Sequence, residues 1–185
     1  MPHYFKTVYI PDDKFLLIGG LERETSQTSA RCFILDDKGK LTGQKDLTIP
    51  RQYFTIAPDY ANEKIYAIGG YNDELGLLAS FETFSTRARK WTVSEETQQL
   101  NKPRINAAAC KCGSKYIYLF GGMGEDNEFL DSIERYNSEL GIWTVLTVKL
   151  PQKVTNHYAF SFNPQYIIIL GGMVKKDAAY LPKES

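Results

Sequence analysis

Four short apolar runs, each closed by a pair of glycines, set the rhythm of this chain. They are Phe15-Leu16-Leu17-Ile18-Gly19-Gly20, Ile65-Tyr66-Ala67-Ile68-Gly69-Gly70, Tyr118-Leu119-Phe120-Gly121-Gly122 and Ile168-Ile169-Leu170-Gly171-Gly172. Hydrophobicity within each run is continuous rather than alternating, which predicts a strand covered on both faces. The first glycines stand at 19, 69, 121 and 171, so the period is 50, 52 and 50 residues. Around each run the pattern predicts further strands. One precedes it (Tyr53–Ala57, Ile105–Cys110, His157–Phe162) and a polar loop follows it (Asn72-Asp73-Glu74, Gly124 to Glu128). A third strand comes next (Ala30–Leu35, Ala79–Phe84, Ser132–Tyr136). A turn then leads to a fourth, at Lys40–Lys45 or beginning at Lys90–Val93 or Ile142–Val145. The chain therefore divides into units at about 3–48, 51–100, 104–150 and 154–185, the last one incomplete.

Other residues keep register with the glycines. Gly69 to Glu82 is 13 residues, and so is Gly121 to Glu134; Gly69 to Trp91 is 22, and so is Gly121 to Trp143. An arginine opens each middle unit, in Ile49-Pro50-Arg51 and Lys102-Pro103-Arg104. In the first unit the same offsets fall on Cys32 and Leu41, a degenerate copy. In the fourth the first offset reaches Glu184, and the tryptophan slot lies past residue 185. Each tryptophan has the area to fill a wedge between neighbouring units. Glu82 and Glu134 are placed to accept hydrogen bonds from backbone or arginine.

Gly19-Gly20, Gly69-Gly70, Gly121-Gly122 and Gly171-Gly172, with Glu82, Trp91, Glu134 and Trp143, resemble the kelch repeat over nearly the whole chain. The resemblance implies an all-β fold: an arc of a kelch-type β-propeller with four-stranded antiparallel blades and about three and a half repeats. Such an arc does not close a ring. The remainder would come from a longer protein, from a second copy of the chain, or from another chain. Family members commonly bind short peptide segments on the face made by the loops after each second strand and before each first strand. On that face the resemblance places Arg51, Asn72, Asp73, Glu74, Arg104, Glu125, Asp126 and Asn127, with Asn156 and His157 standing where the fourth unit lacks an arginine. The arginines either look into the channel mouth or brace neighbouring blades. The implied function is a non-catalytic interaction module or scaffold with a protein or peptide partner, in the cytoplasm or on the cytoskeleton. The alternative is a structural subunit of a larger cytoskeletal or ciliary assembly, held by its blade faces.

Composition narrows the chemistry. With 22 basic and 22 acidic residues, nothing favours a polyanion, and no nucleic-acid partner is expected. The densest basic cluster, Arg87-Ala88-Arg89-Lys90, reads as a solvated turn. No apolar stretch has the length of a bilayer span, and the start lacks a secretory pattern, so no membrane role is expected. Three cysteines, Cys32, Cys110 and Cys112, form no C-x-x-C pair and suit a reducing compartment. His3 and His157 lie in different units without carboxylates at ligand spacing, so no metal or cofactor is expected. Gly121-Gly122-Met123-Gly124 is followed by acids rather than by a lysine and a helix, which argues against a phosphate cradle. No hydrolase elbow and no marked carboxylate pair is present, and a propeller-based hydrolase or oxidase ranks below the binding readings.

Overall fold

The computed structural model describes residues 2–175. Each apolar run is a strand within a four-stranded antiparallel sheet or, in the last unit, a hairpin. The first sheet runs β1 (Lys6–Ile10), β2 (Lys14–Leu21), β3 (Thr28–Leu35) and β4 (Leu41–Gln44) in spatial order. The second is built from β5 (Thr55–Asp59), β6 (Lys64–Ile68), β9 (Phe81–Ser85) and β10 (Lys90–Val93); a small ribbon, β7 (Tyr71–Asn72) with β8 (Gly76–Leu77), rises from the loop after β6. The third is β11 (Ala108–Cys112), β12 (Tyr116–Phe120), β13 (Ser132–Asn137) and β14 (Ile142–Lys149). The fourth is the hairpin β15 (Val154–Asn163) with β16 (Tyr166–Val174). Successive first strands lie side by side, β5 against both β1 and β11, and β11 against β15. The sheets thus radiate as blades from a common axis, a partial kelch-type propeller of three full blades and a two-stranded fourth among the described residues.

The structure moves some predicted limits. The first strands of blades 2 and 3 begin at Thr55 and Ala108, later than the apolar pattern indicated. The reason is backbone geometry: Tyr53 and Asn106 adopt left-handed φ of 55° and 52°, which breaks the extended run before the ladder starts. In the fourth unit the strands are longer than expected, because β15 and β16 pair from Val154↔Val174 to Asn163↔Tyr166, with a shift of register between Ser161 and Asn163. The Glu184 slot and the rest of 176–185 lie outside the described residues.

Continuous hydrophobicity follows from blade stacking. Ile65, Tyr66, Ala67 and Ile68 of β6 are all buried, alternate residues facing opposite neighbours. Ile65 and Ala67 join Val8, Ile10, Leu16 and Ile18 of blade 1, whereas Tyr66 and Ile68 join Ile117 and Leu119 of blade 3. Each tryptophan fills the gap towards the preceding blade: Trp91 packs with the blade 1 set, and Trp143 meets Phe81 of blade 2 at 6.1 Å between ring centroids.

The double glycines hold blades to one another. In blade 2, Gly69 (φ 63°) and Gly70 (φ 104°) occupy backbone conformations that L side chains rarely adopt. A methyl on Gly69 would come within 2.7 Å of the Arg104 carbonyl oxygen of blade 3, and one on Gly70 within 2.7 Å of the Gln52 carbonyl oxygen. That closeness lets Gly70 N–H donate to the Arg104 carbonyl at 2.9 Å. The same link recurs from Gly20 to Arg51 (3.0 Å) and from Gly122 to Val154 (2.8 Å), which is why the glycine pair repeats with the blades.

Candidate functional site

The two arginines that open the middle blades turn inward. Arg51 is 0% exposed and Arg104 1% exposed. Arg51 Nη1 donates to the carbonyls of Gly69 (2.9 Å) and Ser80 (3.1 Å), and Nη2 to Glu82 Oε1 (3.1 Å). Glu82 is itself 0% exposed and also accepts the backbone N–H groups of Thr48 (2.8 Å) and Ile49 (2.9 Å), which tie down the linker from blade 1. Blade 3 repeats the arrangement. Arg104 donates to the Gly121 carbonyl (3.0 Å), to Ser132 Oγ (3.2 Å) and to Glu134, while Glu134 accepts from Asn101 N–H (2.8 Å) and Lys102 N–H (3.2 Å). Burial pulls both guanidinium pKa values below their ordinary level, and the paired glutamates pull them back up. Of the two roles open to the arginines, bracing is the one their geometry fills.

The unit 1 copy lacks both partners together. The slot equivalent to Arg51 is Pro2, since His3 bridges Leu21 as Gln52 bridges Tyr71. The glutamate offset reaches Cys32, but the strand register pairs Cys32 with Ile18 as Phe81 pairs with Ile68, and puts Phe33 opposite Leu17 where Glu82 stands opposite Ala67; the first blade thus has neither the arginine nor the glutamate. Burial pushes the Cys32 thiol up to about 12. In blade 4 the arginine slot is Val154, which accepts the glycine link; Asn156 and His157 lie further along. Asn156 is exposed at the channel mouth with φ 55°, and His157 is buried, at the level of Phe54 in blade 2. Burial lowers the His157 pKa, and the Phe120 carbonyl opposes that shift without closing a hydrogen bond of standard geometry.

The loop residues divide into two groups. Asn72 is buried: its Oδ1 accepts Glu74 and Leu75 N–H at 3.0 Å, and its Nδ2 donates to the Pro50 carbonyl at 2.8 Å. Asp73 accepts Thr28 N–H at 2.6 Å and so stitches blade 2 to blade 1. Glu74, Glu125, Asp126 and Asn127 are exposed. The last three form a tight turn, with Asp126 and Asn127 at left-handed φ of 52° and 56°, closed by Glu128 N–H donating to the Glu125 carbonyl at 2.9 Å.

That turn forms one wall of a groove of about 490 Å³ between blades 2 and 3, on the loop face. Tyr53, Tyr71, Leu77, Ile105 and Met123 give it an apolar floor, and Gln52 lies at its base. The scaffold is rigid backbone: Gln52 and Tyr71 exchange hydrogen bonds (3.0 and 2.9 Å), as do Ile105 and Met123 (2.9 and 2.8 Å). Asn106 N–H donates to the Tyr53 carbonyl at 2.8 Å and joins the two sides. These floor residues were not singled out from sequence. Their signal was positional: each stands one or two places after the blade's arginine, directly after its glycine pair, or, as Leu77, in the ribbon beyond.

The other end of the channel is built differently. Asp59 at the end of β5 pairs with Lys111 of β11, and Asn62 Nδ2 donates to Asp59 Oδ2 at 2.9 Å. Cys110 and Cys112 are buried and unpaired on β11. Among the described residues, no three His, Cys, Asp or Glu side chains gather as metal ligands. No helix there is long and apolar enough to cross a membrane.

Comparison with known proteins agrees with this geometry. The sequence model of the Kelch motif matches residues 60–96 and 103–147. A RING finger domain and kelch repeat-containing protein of Dictyostelium discoideum is 26% identical over 165 residues, 89% of this chain and 16% of that protein. Kelch-like protein 38 of Homo sapiens is 26% identical over 163 residues, 86% of this chain and 27% of that protein. Beta-scruin of Limulus polyphemus is 27% identical over 129 residues, 69% of this chain and 14% of that protein. The chain thus spans about a quarter or less of the length of these relatives. Matched motifs, repeat-bearing relatives and blade geometry coincide: the chain carries kelch motifs in its two middle blades and is similar to kelch-repeat proteins.

Proposed function

We propose that this chain is a non-catalytic protein-interaction module that engages a protein or peptide segment on the loop face of its blades. The observation that carries the reading is the groove between blades 2 and 3, whose apolar floor and polar wall stand on backbone fixed by reciprocal hydrogen bonds. Concave apolar sites with a few placed polar groups are the usual form of a recognition site. The kelch motif match and the similarity to kelch-repeat proteins support the reading, and a cytoplasmic, cytoskeleton-associated setting belongs to the same proposal. The test is hydrogen-exchange mapping with peptides selected from a random display library. Protection at Tyr53, Tyr71, Ile105 and Met123 is the expected result; protection confined to the outer strands β4, β10 and β14 refutes it.

A second reading rests on a separate observation. One face of the β15–β16 hairpin packs on blade 3 through Ala159, Ile167 and Ile169. Its other face presents Tyr158 (77% exposed), Phe162 (70%), Tyr166 and Leu170. An apolar face of this kind suits a structural subunit held by its blade faces within an assembly. Substituting Tyr158 and Phe162 by serine separates the readings: an assembly subunit loses its neighbour, and a loop-face binder keeps its peptide.

A further inference from the structure

We infer that the groove between blades 2 and 3 takes a cationic segment, in which a lysine or arginine stands next to an apolar side chain. The inference rests on the loop-face reading above and adds the chemistry of the partner. The sequence suggested arginines beside acids at this mouth, a mixed surface open to partners of either sign. The structure removes the arginines: Arg51 and Arg104 are buried against Glu82 and Glu134, so neither guanidinium reaches the groove. What remains at the wall is Glu125 and Asp126 beside Asn127, all exposed, and no lysine, arginine or histidine lines the groove among the described residues. Lys153 stands outside the groove, paired with Glu128 at 2.7 Å.

The second observation is independent of the acids. Gln52 at the base of the groove is only 7% exposed, and its Oε1 accepts no hydrogen bond. A buried acceptor without a donor is uncommon, because leaving it unmade forfeits its hydration. The groove therefore offers acceptors at its wall and an unfilled acceptor at its base. Lysine and arginine side chains carry only donors and match that set. The apolar floor accommodates the stem of such a side chain and its apolar neighbour. Tyr53 and Tyr71 add ring faces that attract a cation. An acidic segment would meet repulsion at Glu125 and Asp126 and would supply no donor to Gln52 from its side chains.

The experiment uses two fluorescein-labelled peptides with identical apolar positions, one bearing Lys and Arg and the other Asp and Glu at the remaining sites, titrated by anisotropy. The cationic peptide is expected to bind, more weakly at high salt, and to lose about tenfold in affinity on the double change Glu125→Lys/Asp126→Lys. Gln52→Leu is expected to weaken that peptide about threefold while raising the melting temperature of the free chain, since it removes an acceptor that has no partner. Glu24→Lys, in the blade 1 loop, serves as the unaffected control. Equal affinity of the cationic peptide for the wild-type chain and the Lys/Lys variant overturns the inference. Preference for the acidic peptide, competed by loop-face binders, overturns it and leaves the loop-face reading intact. Binding of neither peptide, together with failure of a random library to yield a binder, overturns both.

Discussion

Glu82→Gln tests the idea that one buried carboxylate clamps two blades together. Three donors converge on Glu82: the N–H groups of Thr48 and Ile49 at 2.8 and 2.9 Å and Arg51 Nη2 at 3.1 Å. Glutamine keeps the size but replaces one acceptor oxygen with an NH2 group. Either that group faces the Thr48 or Ile49 N–H, donor against donor, or it faces a guanidinium that is 0% exposed. Removing one partner of a buried ion pair costs about 3–5 kcal/mol, and a buried donor left unpaired about 1–3 kcal/mol. These terms overlap, and glutamine retains one acceptor, so the working estimate is about 3 kcal/mol. For a chain of this size that lowers the melting temperature by about 6–12 °C. Trp91 sits at the junction the clamp closes, and in a Trp143→Phe background its fluorescence during urea unfolding reads that junction alone. The exposed pair Lys115–Glu139, at 3.4 Å, is the matched control, and Glu139→Gln should change stability by less than about 0.5 kcal/mol. If Glu82→Gln costs no more than Glu139→Gln, the carboxylate does not clamp the linker and the argument is wrong.

Four further outcomes follow from the geometry. Gly70→Ala should destabilise by about 3 kcal/mol, because its methyl meets the Gln52 carbonyl at 2.7 Å with φ at 104°, whereas Gly39→Ala, in open space at φ 75°, should cost about 1 kcal/mol; equal losses in urea melts refute the close-approach account. Burial holds His157 below its ordinary pKa of 6.5, so protonation favours the unfolded chain. Stability should be level above about pH 6.5 and decline as pH falls through the lowered folded value; His157→Phe should flatten that limb, and an unchanged pH profile counts against it. Cys32 and Cys110, both pushed up to about 12 by burial, should resist Ellman's reagent at neutral pH until the chain is unfolded. Tyr158→Ser with Phe162→Ser should reduce self-association in sedimentation velocity, and identical profiles would show that the hairpin face does not drive contacts between copies.

The sequence carried the blade and much less of the site. Spacing alone located Gly69-Gly70, Glu82 and Trp91, and the same set 52 residues on, because each performs a blade-to-blade task that recurs in both middle blades. Local chemistry also explained the continuous apolar runs. It could not choose between two roles for Arg51 and Arg104, since an arginine reads the same in sequence whether its guanidinium points to solvent or to a glutamate 31 or 30 residues away. Likewise Asn72 and Asp73 read as partner-facing loop residues, yet one caps its own turn and the other holds Thr28 of the neighbouring blade. The groove floor was invisible because Tyr53, Tyr71, Leu77, Ile105 and Met123 come from two blades and four separate segments.

What the sequence determined by itself was the repeating unit: its strands, its turns and the kelch motif they carry, all set by contacts that recur at a fixed interval. What only the tertiary structure decided was the sign of the charge left on the loop face. Burial of two arginines against two glutamates withdraws positive charge from the mouth of the channel and leaves Glu125 and Asp126 to define it. That outcome depends on which charges are desolvated together, a property of packing between segments far apart in the chain and not of any one segment read alone.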